Sequence, residues 1–102
     1  MAPETLSNET LNKVKDFIRI SHSKLDGDIQ DSISACLADL QTHGIIHKDD
    51  TDPLILNAVK LYCKSLYTDD TAKAAEYMSR YTALRDSLKA AKGYGWKEES
   101  NE

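Results

Sequence analysis

Glycine and proline are scarce in this chain, with 4 and 2 copies among 102 residues. They fall where helices would start or stop, which predicts helices joined by short turns. No alternation of apolar and polar residues is sustained beyond about four positions, and no internal repeat or low-complexity tract is present. Apolar runs are also short. None approaches the roughly 18 residues that cross a bilayer, and Met1 to Thr10 lacks the charged-then-apolar layout of a signal peptide, so a cytosolic chain with no membrane partner is expected.

Positive charge is not in excess. The 13 basic residues face 17 acidic ones, a net charge of −4, which gives no overall attraction for phosphate backbones and argues against simple nucleic-acid binding. The imbalance sits in the first half. Met1 to Asp52 carries 5 basic and 10 acidic residues, whereas Pro53 to Glu102 carries 8 and 7. Solvated helix faces account for this; so would copies packing acidic face on basic face, or a channel lined for DNA. Cysteine is limited to Cys36 and Cys63, each inside an apolar helical pattern and in no ligand cluster, so buried free thiols are expected.

The remaining composition is that of an ordinary globular domain, 40% hydrophobic and 29% charged, and the length suits one compact core. Leu11, Val14, Phe17 and Ile18 follow spacings of three and four after the possible caps Ser7 and Asn8, which predicts a first helix over about 8–18. Arg19 to Ser23 breaks the pattern as a turn, with Ile20 able to pack inward. Leu25, Ile29, Ile33, Cys36, Leu37 and Leu40 then define a second helix over about 25–43. Asp26, Asp28 and Asp31 crowd its first turns, where the helix dipole favours negative charge. Gly44 is placed to end it in a left-handed cap, followed by Ile45 or Ile46 tucked under the helices and a polar loop.

Asp52-Pro53 is a strong helix start, because the carboxylate accepts free backbone N–H groups and proline at the first position lacks one of them anyway. Leu54, Ile55, Ala58, Val59, Leu61, Tyr62 and Leu66 cover more than half the circumference of the third helix, about 53–67, marking it as central. Thr68 to Thr71 offers caps for a fourth, about 71–92. Its stripe is Ala74, Tyr77, Met78, Tyr81, Leu84, Leu88 and Ala91. The expectation is all-α: a small bundle of four helices forming one domain over residues 1–92, with a flexible or partner-ordered tail at 93–102.

No catalytic, cofactor or metal site is expected. His43 and His47 straddle Gly44 and share no helix face, and His22 stands apart. The aspartates around Gly27 and at 49–52 lack the alternating ligands and closing glutamate of a calcium loop. GxSxG, GxGxxG, HExxH and the Walker phosphate loop are all absent, so an enzyme is not expected. The tail is the exception. Tyr94 and Trp96 lie outside any helical stripe, and Gly95 and Lys97 flank Trp96. Aromatics between glycines are frequent binding anchors, so Tyr94, Gly95, Trp96 and Lys97 are the candidate partner-binding residues.

Asp52-Pro53-Leu54-Ile55-Leu56-Asn57-Ala58-Val59-Lys60 and the apolar stretch after it resemble the central helix of the head-to-tail connector (adaptor) proteins of tailed bacteriophages. That helix commonly reads D-P-L-I, two variable residues, then A, V or I, and K. Leu11-Asn12-Lys13-Val14-Lys15-Asp16-Phe17-Ile18-Arg19-Ile20 is similar to the family's opening, L-x-x-V-K-x-x, then L or I, then R-I. Tyr77-Met78-Ser79-Arg80-Tyr81 with Leu84 resembles its closing helix. The resemblance covers roughly residues 6–92 and rests on order and spacing. It implies a virion assembly protein at the head-to-tail interface, formed in the host cytoplasm. Such a subunit, monomeric when free, joins a dodecameric ring beneath the phage portal protein, prolongs the DNA channel without binding DNA specifically, and offers a platform to the stopper or tail-completion protein. It also implies that the segment after the last helix reaches the portal, although the short acidic end at Glu98 to Glu102 departs from the family.

The residues by themselves also suit a different class, a small helical interaction module or regulator docking through its third and fourth helices. A nucleic-acid reading would need Lys60, Lys64, Lys73, Arg80, Arg85, Lys89 and Lys92 to converge in space.

Overall fold

The computed structural model describes residues 8–45 and 52–91. Four helices make up the described fold: α1 (Asn8–Ile18), α2 (Asp26–Thr42), α3 (Pro53–Leu66) and α4 (Thr71–Ala90). The all-α architecture and the order of helices are those the sequence predicts. The ends differ by a residue or two, each for a local reason. Leu25 flanks α2 without contributing a side-chain cap, Tyr67 donates its N–H to the carbonyls of Cys63 and Lys64 as the last turn of α3 closes, and Ala91 leaves α4 in an extended conformation.

The start of α3 follows from its first two residues. Asp52 stands in an extended conformation and its Oδ2 accepts from the N–H groups of Leu54 and Ile55 at 3.1 and 3.3 Å, beside proline in the first turn. Asp70 does the same for α4, accepting from Ala72 and Lys73 at 2.9 and 3.2 Å.

The ends of α1 and α2 share one geometry. After α2, Gly44 takes φ 87°; its N–H donates to the Gln41 carbonyl and that of Ile45 to the Leu40 carbonyl. These two bonds are the Schellman pattern, and Leu40 and Ile45 supply the buried apolar contact that accompanies it. After α1, Arg19 takes φ 63°, its N–H donates to Asp16 and that of Ile20 to Lys15. The turn predicted at 19–23 is therefore a left-handed cap built on arginine, a residue for which that conformation is strained.

α3 is the hub: α1, α2 and α4 all pack on it, and α1 also touches α2. Its residues Ile55, Ala58, Val59 and Cys63 are buried against Leu11, Val14 and Ile18 of α1, Ile29, Ile33, Cys36 and Leu40 of α2, and Tyr81 and Leu88 of α4. Ile45 joins this core and Ile20 packs at its edge. Ser7, Ile46 and His47 lie outside the described residues.

Candidate assembly surface

Two polar clusters arise where these helices meet. The first joins α2 to α4. Asp39 lies beside the apolar stripe of α2, and its Oδ2 accepts from the Tyr81 hydroxyl at 2.6 Å and from Arg85 Nη1 at 3.0 Å. His43, one turn on, sets Nδ1 2.9 Å from the Asp39 carbonyl oxygen and 3.5 Å from its carboxylate. A carbonyl only accepts, so Nδ1 carries the proton. Burial pushes the Asp39 carboxyl up, but the Tyr81 hydroxyl and the Arg85 guanidinium outweigh it and hold the group below the ordinary carboxylate value.

Beneath this cluster, Tyr81 is 1% exposed and its ring meets that of Tyr62 edge-on at 5.1 Å. Burial raises the Tyr81 hydroxyl, and the bond to Asp39 raises it further because deprotonation would set two anions together. Cys36 and Cys63 are free and buried, as expected. Burial pushes the Cys63 thiol up to about 12 and raises Cys36 as well. These protonated thiols have none of the thiolate character that nucleophilic chemistry needs.

The second cluster lies on the surface, where the end of α1 meets α3 and the start of α4. Phe17 is 36% exposed, yet Lys60 Nζ stands 5.8 Å and Lys64 Nζ 5.5 Å from its ring centroid. Lys64 also donates to the Phe17 carbonyl at 3.1 Å, satisfying an acceptor that the end of α1 leaves open. The same ammonium is 5.8 Å from the Tyr77 ring, which Arg80 approaches at 5.9 Å. Arg80 is paired with Glu76 at 2.6 Å, whereas among the described residues neither lysine pairs with a carboxylate. Three cations thus surround two rings on one face. Leu54 and Leu66, 42% and 52% exposed on α3, leave further apolar area uncovered.

Of the seven basic residues on α3, on α4 and just beyond, the fold brings Lys60, Lys64 and Arg80 together and turns Arg85 away to Asp39. Lys73 and Lys89 point outward from α4, and Lys92 lies outside the described residues. The candidate anchors Tyr94, Gly95, Trp96 and Lys97 also lie outside them. His22 is exposed and accepts from the Lys24 N–H at 3.2 Å. Among the described residues no three His, Cys, Asp or Glu side chains gather as metal ligands, and no helix is long and apolar enough to cross a membrane.

Neither cluster is legible in the sequence as a unit. An aspartate beside a stripe of Cys36, Leu37 and Leu40 was the available signal for the first, because a carboxylate at the core's edge needs a donor from a neighbouring element. Nothing in the sequence signals that Phe17 meets Lys64.

Comparison with curated proteins and with solved structures found no match. A family model described as phage connector protein matches residues 10–95, a span that contains nearly all of α1 and the whole of α2, α3 and α4. The chain therefore belongs to the phage connector protein family, a structural rather than enzymatic family whose members interact with other phage assembly components.

Proposed function

We propose that this protein is a head-to-tail connector of a tailed phage virion. Residues 1–92 form the connector domain, copies of which assemble as a dodecameric ring beneath the portal. The ring prolongs the DNA channel and presents a platform to the stopper or tail-completion protein. The subunit is a monomer when free and joins the virion from the host cytoplasm. Tyr94, Gly95, Trp96 and Lys97 anchor it to the portal.

The observation that carries this reading is the family match over all four helices. The surface supports it. A domain of this size buries only about 60 to 65% of its unfolded area, and Phe17, Leu54 and Leu66 are apolar groups that a ring contact would cover. The net charge of −4 suits a channel wall that DNA passes without sticking.

Electron microscopy of portal rings mixed with the full chain, and with a chain ending at residue 93, tests partner, symmetry and tail together. Added ring density under the portal with the full chain, lost without the tail, is the expected result. Portal rings left bare by the full chain would overturn the reading.

A further inference from the structure

α3 turns one strip outward between α1, whose Phe17 lies against Lys60 and Lys64, and α4, whose Tyr77 lies against Lys64. Leu54, Asn57, Leu61 and Lys64 follow one another along that strip at spacings of three, four and three, with Lys60 beside the last two. Leu54 and Asn57 are exposed and the other three half-buried, so the strip is apolar at its start and basic at its end. Both lysines keep free donors. Lys60 meets only the Phe17 ring, and Lys64 uses one N–H on the Phe17 carbonyl, which leaves N–H groups on each ammonium for an anion.

A strip on α2 carries the complementary groups. Asp28, Asp31, Ala35 and Ala38 also recur at spacings of three, four and three, and all four are exposed. Neither aspartate pairs with a base among the described residues. α1 separates them from the lysines of their own subunit: Lys15 pairs with Asp26 at the start of α2 at 2.8 Å, while Phe17, two residues on and so on another side of α1, meets Lys60 and Lys64.

We propose that the α2 strip of one subunit docks on the α3 strip of a second copy, with the two helices antiparallel. In that register Asp28 lies opposite Lys64, Asp31 opposite Leu61 and beside Lys60, Ala35 opposite Asn57, and Ala38 opposite Leu54. Matching spacings of three and four are those of a helix–helix seam, and the alanines let the backbones come close enough to cover Leu54. A parallel register would set Asp28 on Leu54 and Lys64 on Ala38, leaving each charge against an apolar group, so the order of charges selects the antiparallel one. The two strips are different surfaces. Each subunit therefore offers one to either neighbour, and the contact repeats from copy to copy. Exposed ion pairs contribute little singly, so the contact is weak between two free subunits and gains from repetition in a closed assembly. It rests on the connector reading only for that closure into a ring.

Disulfide trapping between full-length chains detects so weak a contact, because Cys36 and Cys63 are buried and leave an introduced thiol to report. Mixing Ala38→Cys chains with Leu54→Cys chains under a mild oxidant should give the mixed disulfide several-fold faster than Ala38→Cys chains give it with Ala83→Cys chains, whose thiol sits at an exposed position of α4. High salt should slow it several-fold. Adding Asp28→Lys and Asp31→Lys to the first chain should lower the rate to that of the α4 control. Adding Lys60→Glu and Lys64→Glu to the second chain as well should restore it, which a change of fold in either chain would not do. A rate no higher than the control, indifference to the reversals, or no restoration would each overturn the contact. Faster coupling of Ala38→Cys chains to one another would mean that α2 pairs with α2, and would overturn it too. A mixed disulfide between chains that leave portal rings bare would uphold the contact while the connector reading falls; ring density under the portal in which the two thiols do not couple would do the reverse.

Discussion

The Tyr81 hydroxyl donates a 2.6 Å hydrogen bond to the Asp39 carboxylate, joining α4 to α2 across 42 residues of sequence. Tyr81 lies among the core side chains while Asp39 stands at the rim, so the bond fixes how α4 turns its stripe inward. Tyr81→Phe keeps the ring and its edge-on contact with Tyr62 but removes the donor. A hydrogen bond to a charged, partly solvated acceptor contributes about 1 to 2 kcal/mol, so the midpoint of thermal unfolding should fall by roughly 5 to 10 °C. Calorimetry checks this; an unchanged midpoint would show that Arg85 and His43 satisfy Asp39 unaided.

The lowered Asp39 carboxyl makes stability depend on acid. Its unfolded value is close to the ordinary 3.8 and its folded value lies below that. The contribution is therefore fully present above the unfolded value and is lost as pH falls through the folded one. Asp39→Asn should be less stable than the parent near neutral pH, with the difference shrinking below about pH 4. Thermal melts over that range decide it, and a constant difference would mean that the carboxylate's charge is not what stabilises the contact.

Arg19 and Gly44 occupy equivalent cap positions at φ 63° and 87°. Left-handed backbone costs an L residue about 1 to 2 kcal/mol, and glycine's greater unfolded freedom returns about half of that. Arg19→Gly should thus stabilise the chain by about 0.5 to 1 kcal/mol, and Gly44→Ala should destabilise it by about 1 kcal/mol. Urea unfolding measures both. An Arg19→Gly protein less stable than the parent would reveal that the arginine side chain makes a stabilising contact.

Cys36, Cys63 and Tyr81 are held protonated by burial, with ordinary values of 9.0 for the thiols and 10.0 for the phenol. Their stabilising contribution is present below those values and is lost as pH rises above them toward the raised folded values. Stability should decline above about pH 9, and an aromatic disulfide reagent should titrate no thiol at neutral pH until the chain unfolds. Rapid reaction of one thiol in the native protein would place it at the surface instead.

The helices were largely legible because their determinants are local. Asp52 and Pro53 start α3 with groups two and three residues away, and Gly44 ends α2 through carbonyls within the last turn. The apolar spacing of Ile29, Ile33, Cys36 and Leu40 marks the buried face of α2 in any globular setting. No glycine or asparagine announces the left-handed cap at Arg19, which stands between Ile18 in the core and Ile20 packed against it. The candidate anchors Tyr94, Gly95, Trp96 and Lys97 have no place in any helical stripe and lie outside the described residues.

The sequence by itself thus determined four helices, their order, the caps at Asp52 and Gly44 and the central standing of α3, since each follows from hydrogen bonds and apolar periods spanning a few residues. Only the tertiary structure decided which charges meet. Asp39 with Tyr81 and Arg85, and Phe17 with Lys60 and Lys64, are pairs more than 40 residues apart. Their meeting depends on the rotation of α1, α2 and α4 about α3, which is set by how whole faces interlock and not by any short run of residues.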